Sequence, residues 1–173
     1  MANTYTLISS NTVGSGGVAS VTLGSIPATY TDLLLKYSMR TAYSGVSNNT
    51  LIEFNGSGGT AYSLKALYGT GTSAASFSRS SGASTDAGYA NGSTATASTF
   101  ANNEIYIPNY ASANYKSFSV DSVIENNASA ADSMLAAGLW SNTSAITSIK
   151  ITDFSSNTIS QYSTFYLYGI SNS

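Results

Sequence analysis

The chain has no cysteine and no histidine. Without cysteine there is neither a disulfide framework nor a thiolate metal site, so stability rests on packing, sheet hydrogen bonding or assembly. Without histidine there is no Ser-His-Asp or Cys-His arrangement and no imidazole ligand, which removes most hydrolase mechanisms. Charge is scarce as well: Lys36, Arg40, Lys65, Arg79, Lys116 and Lys150 stand against eight carboxylates, 8% of 173 residues, where soluble proteins carry roughly 25%. Six isolated cations and a pI near 4.7 exclude the basic footprint of a nucleic-acid binder. The shortage of Glu and Lys also removes the material of exposed helices. No run approaches the ~18 apolar residues of a membrane span. The opening Met-Ala-Asn-Thr-Tyr has neither a basic n-region nor an apolar h-region, so the expectation is a protein made in the cytoplasm without export signal or anchor.

What the chain does contain is 33 Ser, 20 Thr, 13 Tyr and 6 Phe with scattered Gly and only two Pro. Aromatic and β-branched residues at this level argue for a folded protein, and their mixture with turn formers argues for an all-β one. The clearest strand signal is "DLLLKYSMRT", Asp32 to Thr41, with Leu33, Leu35, Tyr37 and Met39 on one face and Leu34, Lys36, Ser38 and Arg40 on the other. Ile105 and Ile107 alternate with Glu104 and Tyr106 ahead of Pro108, which stops the ladder or marks an edge. Phe118, Val120 and Ile124 alternate with Ser117, Ser119 and Asp121, and Thr147, Ile149 and Ile151 alternate with Ile146, Ser148 and Lys150.

Two hairpins are expected. The first joins Tyr5–Ser9 to Val18–Ile26 through a glycine-rich loop, and the second joins Thr50–Gly59 to Thr60–Gly69. From Thr70 to Thr99 the chain is mostly Ser, Gly, Ala and Thr, too polar to fill a core, and reads as one or two weak strands inside long loops. "SAADSMLAAGLW", Ser129 to Trp140, is ambiguous: Ser129 and Asp132 mimic a capping box, but a piece of about twelve residues holding Gly138 reads better as a strand. The closing "STFYLYGI" reads as a core strand with Phe165 and Leu167 inward, Tyr166 and Tyr168 outward, and Gly169 at a bulge or turn. Turn signals recur about every 8 to 15 residues with no intervening amphipathic helices, which predicts an antiparallel β-sandwich of jelly-roll type with long Ser/Gly/Ala-rich loops. The whole chain, 1–173, reads as a single domain.

Candidate chemistry is thin. Glu53, Glu104, Asp121 and Glu125 lie on strand-like segments where a carboxylate pair could cleave a glycoside, but one acid per polar strand face is what solvent exposure alone produces. No calcium loop, nucleophile elbow or phosphate loop occurs, so no catalytic residue, metal or cofactor is expected. N-x-[ST] sequons at Asn48, Asn55, Asn91, Asn127 and Asn142 are what a chain this rich in Asn, Ser and Thr generates by chance. The tyrosines suit either sheet surfaces or interfaces and sugar-stacking platforms.

The order of "TYTLISSNTV" (4–13), "IPATYTDLLLKYSMRT" (26–41), "FNGSGGTAYS" (54–63), "NNEIYIPNY" (102–110), "AAGLWSNTSAITSIKI" (136–151) and "STFYLYGI" (163–170) resembles small structural proteins of tailed bacteriophages, notably cyanophages and other marine phages. That resemblance implies a non-enzymatic virion component: a capsid decoration or cement protein bound to the major capsid protein, often as a homotrimer, on the outer capsid surface. The alternative it implies is a tail-fibre or receptor-binding tip that recognises host polysaccharide. Partner-facing residues are then expected among Met1 to Thr6, the 70–99 segment and the outward tyrosines: Tyr5, Phe77, Arg79, Tyr89, Tyr166 and Tyr168.

Overall fold

The computed structural model describes residues 4–127 and 131–171. Among them are twelve strands and no helix: β1 (Tyr5–Thr12), β2 (Ser20–Leu23), β3 (Asp32–Met39), β4 (Ser47–Phe54), β5 (Tyr62–Gly69), β6 (Ala74–Gly82), β7 (Thr85–Asn91), β8 (Ala101–Ile107), β9 (Lys116–Ile124), β10 (Asp132–Trp140), β11 (Ile149–Asp153) and β12 (Thr164–Ile170). They form an eight-stranded sheet in the order β1-β12-β3-β8-β9-β10-β5-β6 and a four-stranded sheet in the order β2-β11-β4-β7. All ladders are antiparallel.

The strand order explains itself once two hairpins are set aside. Of the eight strands left, β1-β12-β3-β8 lie in one sheet and β2-β11-β4-β7 in the other. Each connection β1→β2, β3→β4, β7→β8 and β11→β12 therefore crosses between sheets, which is the wrapped pattern of a jelly roll. The hairpins β5–β6 and β9–β10 both add to the far side of β8 and widen one sheet only. The sandwich is thus lopsided, with a broad sheet that overhangs a narrow one.

This topology corrects both expected hairpins. β1 pairs with β12 while β2 pairs with β11, and β4 pairs with β11 and β7 while β5 pairs with β10 and β6. Each glycine-rich link is a crossover between sheets rather than a tight hairpin turn. At the first, Gly16 and Gly17 take φ of 89° and 68°, and Val18 and Ile159 exchange backbone hydrogen bonds of 3.1 and 2.7 Å. At the second, Asn55 and Gly56 take positive φ. The Asn55 side-chain amide ties that corner to the segment before β11, accepting from Thr147 N at 2.7 Å and donating to Ala145 O at 2.8 Å.

Alternation holds where it was read. β3 buries Leu33, Leu35, Tyr37 and Met39, β8 buries Ile105 and Ile107, and β9 buries Phe118, Val120 and Ile124. β12 buries Phe165 and Leu167 and sits between β1 and β3, inside the broad sheet. The ambiguous segment is strand β10, although Ser129 lies outside the described residues. Ile146, expected opposite Ile149, is buried like it because strand geometry begins only at Ile149.

The core has an aromatic centre in which Phe54 meets the edges of Phe118 and Trp140 at 5.5 Å each, and Tyr62 stacks on Trp140 at 6.4 Å. Two glycines make room for rings. Gly138 faces Phe118 across the β9–β10 ladder, and Gly169 lies under Tyr30, so a Cβ at either would run into the ring. Gly169 is therefore a packing glycine in a paired strand, not the bulge or turn expected of it.

The largest departure is the 70–99 segment. It supplies two regular strands, β6 and β7, and every residue of β7 is buried. The expected strands and a long Ser/Ala/Thr-rich loop, 92–100, are there, but the segment is not peripheral, because β7, the edge of the narrow sheet, lies under the overhanging broad sheet. Side chains from that sheet complete the edge. Tyr89 N lies 2.9 Å from Ser122 Oγ and 3.1 Å from Asn103 Oδ1, and Asn103 Nδ2 donates to Tyr89 O at 3.0 Å. Ser122 Oγ donates to Asn103 Oδ1 at 2.6 Å, and Tyr37 Oη donates to Ala87 O at 2.6 Å. Gly88, at φ 130°, lets the backbone bulge toward this cluster. A polar segment can thus enter the interior because most of its hydrogen bonds are made there, Thr85 Oγ1 and Asn91 Oδ1 being buried without a partner among the described residues.

Candidate binding site on the broad sheet

The outward face of the broad sheet can be followed row by row through the ladder register. One row runs Leu7, Tyr168, Leu34, Tyr106, Ser119, Ala137, Lys65 and Ser78. The adjacent row runs Ser10, Tyr166, Lys36, Glu104, Asp121, Leu135, Leu67 and Ser76. Neighbouring strands stand ~4.8 Å apart, so side chains along a row form one continuous surface.

Two regions stand out on this face. The first is a groove of about 440 Å³ over β1, β12, β3 and β8, lined by Tyr5, Leu34, Lys36, Glu104 and Tyr168. Across it Lys36 Nζ lies 2.7 Å from a Glu104 carboxylate oxygen, and both side chains remain about half exposed. The hydrogen bond from Lys36 to Glu104, followed by the carboxylate charge, holds the ammonium above the ordinary lysine value. Tyr106 beside it is fixed by donating its hydroxyl to Asp32 at 2.7 Å, an interaction that raises the phenol above its ordinary range. Asp32 is in turn held by Asn109 N at 2.8 Å.

The second region is apolar and lies over β9, β10 and β5. Leu135 and Leu67 are directly opposite each other and 60% and 58% exposed, with Val123 on the neighbouring strand 43% exposed. A shallow depression beside them is lined by Leu67, Leu135, Ala137 and the stem of Lys65.

Three of the six residues expected to face a partner meet on this face: Tyr5 and Tyr168 line the groove, and Tyr166 stands opposite Lys36 in the adjacent row. The other three do not join them. Phe77 and Arg79 stand on the opposite side of β6, over the edge of the narrow sheet. There the Arg79 guanidinium lies 5.0 Å from the Phe77 ring and 5.7 Å from Phe154, and its Nε donates to buried Asp86 at 2.9 Å. Tyr89 is only 7% exposed, packed between the sheets, which corrects its assignment to a partner surface. Burial pushes its phenol up to about 12. Of the terminal segment, residues 1–3 lie outside the described residues, and Tyr5 and Thr6 are paired to Ile170 and Gly169.

The four acids are dispersed. Glu53 pairs with Lys150 at 3.3 Å on the narrow sheet, and Glu125 accepts from Asn127 N at 2.7 Å in a turn. Only Glu104 and Asp121 are neighbours, directly opposite on β8 and β9, and Lys36 already engages Glu104. Among the described residues no three metal-ligating side chains cluster. Leu34, Lys36 and Tyr106 are the residues in and beside the groove that the sequence did not single out as candidates, and Glu104 was a candidate only as one of four acids. Each was visible as the outward member of an alternating strand, but nothing local shows that β3, β8 and β12 are neighbours.

No family model, no curated protein and no solved structure matches the chain.

Proposed function

We propose that the protein is a structural component of a tailed-phage virion, a decoration protein that binds the outer capsid surface and strengthens the shell. The observation that carries the docking role is the exposed Leu67–Leu135–Val123 patch on β5, β10 and β9, strands that are each paired on both sides. Large apolar side chains grouped this way on a chain with so few charges favour burial against another protein. The ordered landmarks that resemble phage structural proteins support the virion setting, with the major capsid protein as partner and a trimer as the assembly.

The action is mechanical. A protein that binds the assembled lattice but not free shell subunits adds interface area only to the assembled state, so mass action favours the intact shell. No side chain needs to move or react for this. A rigid β-sandwich with a broad face suits that task.

The test is stoichiometry together with loss of attachment. Quantitative mass spectrometry of purified virions is expected to find the protein at hundreds of copies per particle. Particles made with the Leu135→Lys variant should lack it and lose infectivity at lower temperature. A copy number of a few dozen or fewer would overturn the decoration role in favour of the tail, and undiminished attachment of Leu135→Lys would overturn the assigned patch.

A further inference from the structure

The tyrosine groove differs in kind from the leucine patch and is not needed for docking on a protein lattice. Its floor is apolar and its rim is polar. The row Leu7–Tyr168–Leu34–Tyr106 is apolar, with Leu34 nearly covered at its centre, and Lys36 and Glu104, 2.7 Å from each other, stand in the adjacent row. The hydroxyls of Tyr5, Tyr166 and Tyr168 make no hydrogen bond within the described residues, so they are available to a ligand.

We infer that this groove binds uncharged hexose units of a polysaccharide, with Tyr168 and Tyr5 stacking on the sugar ring and Lys36 and Glu104 bonding its hydroxyls. A pyranose has an apolar C–H face and a rim of hydroxyls, and tyrosine is apolar on its face and polar at its tip. The ammonium supplies donors and the adjacent carboxylate supplies acceptors, so vicinal hydroxyls can donate to one and accept from the other.

Charge selects the class of sugar. Lys36 is already matched by Glu104, and Asp121 stands next in the same row without a cation opposite it. The site therefore carries a slight negative excess that disfavours uronic acids, sialic acids and phosphorylated glycans. Size agrees: about 440 Å³ lies within the ~300–1,000 Å³ of small-ligand sites. The site is also ordered before binding, because its residues stand on paired strands and Tyr106 is pinned by Asp32. Less conformational freedom is then lost on association. This inference does not depend on where in a virion the chain sits.

The experiment is titration of the full chain with neutral oligosaccharides of glucose, mannose, galactose and N-acetylglucosamine, and with oligogalacturonate as the acidic probe. Calorimetry gives affinity and amide NMR shifts give location. Saturable binding of at least one neutral series is expected, with shifts centred on Leu34, Lys36 and Tyr168. Tyr168→Ala and Glu104→Gln should each weaken it by about tenfold with an unchanged melting temperature, while Ser76→Ala, on the far edge strand of the same face, should bind as the parent does. If Tyr168→Ala fails to fold, Tyr5→Ala on the exposed edge strand takes its place. The inference is overturned if no neutral series saturates, if only oligogalacturonate binds, or if the shifts map elsewhere. It is equally overturned if the tyrosine variants instead abolish self-association, which would make the face a protein contact.

Discussion

β6 and β7 come from one stretch of small polar residues and are only two residues apart, yet β6 is mostly exposed and β7 is wholly buried. Composition does not separate them. What separates them is which sheet each joins and what lies above it. β6 is the outermost strand of the broad sheet, with one side of its backbone open to solvent. β7 is also an edge, but of the narrow sheet, and the β8–β9 part of the broad sheet overhangs it. Asn103 and Ser122 then do for its backbone what a neighbouring strand would do. A polar sequence is thus not evidence for the surface where the backbone groups it carries inside find partners, even though Thr85 Oγ1 and Asn91 Oδ1 of this strand find none among the described residues.

The largest effect is expected at Gly88. A Cβ there would collide with the Asn103 side chain and press on Ser122 Oγ at 2.9 Å, and φ of 130° is strained for any other residue. Gly88→Ala should cost on the order of 3 kcal/mol or more by denaturant melting, since strain and overpacking act together. A loss below about 1 kcal/mol would show that the β7 bulge relaxes freely. Next comes Asn103→Ala, which leaves the Tyr89 carbonyl without its donor and should cost about 2–3 kcal/mol. Ser122→Ala should be strongly non-additive with it in a double-mutant cycle, because Asn103, Ser122 and the Tyr89 backbone form one network.

The contrast also explains what the sequence made legible. Strands whose two faces differ in chemistry, such as β3, β8, β9 and β12, announce themselves by alternation, and their inward residues are the ones read. β7 offers no alternation because both of its faces are buried, one side by apolar contact and the other by polar contact. The signal for it was Gly88 between Ala87 and Tyr89 in a segment with no charge but Asp86, which is suggestive only once Asn103 is known to lie above it. The two crossovers were misread because a glycine-rich link between strands looks the same whether the chain returns in the same sheet or passes to the other one. The candidate groove shares this limit. Tyr166 and Tyr168 were recognisable as outward, but Lys36 and Glu104 meet them through ladders between segments roughly 70 to 130 residues apart, a separation no local pattern encodes.

Alkaline pH provides a further test of the buried strand. Burial, then the charges of Asp132 and Asp86, hold the Tyr89 phenol at about 12 against an ordinary value of 10.0. The folded state favours the neutral phenol, so this contribution is fully present below about pH 10 and is lost as pH rises toward about 12. The loss should approach about 2 kcal/mol, and Tyr89→Phe should flatten the stability curve across that window. Tyr37, raised by burial as well, adds to the same alkaline decline in the parent and should leave a residual slope in the variant. β6 has no tyrosine and contributes nothing to this titration.

The smallest effects belong to β6. Two of its side chains reach the interior, Phe77 packing edge-on with Tyr68 and Arg79 bonding the buried Asp86 carboxylate through a half-exposed guanidinium. Arg79→Ala should cost about 1–2 kcal/mol, more than a surface ion pair because Asp86 is left with fewer partners, and less than a fully buried pair because Asn49 still donates to it. On the other face of the same strand, Ser76 lies opposite exposed Leu67, and its side chain points to solvent. Ser76→Lys should change stability by less than about 0.5 kcal/mol. It should also lower self-association at high concentration, since a lysine on an open edge opposes strand pairing between copies. A loss of more than about 1 kcal/mol at Ser76 would mean that the open edge of β6 is covered in solution, and that the difference between the two strands is one of partner rather than of exposure.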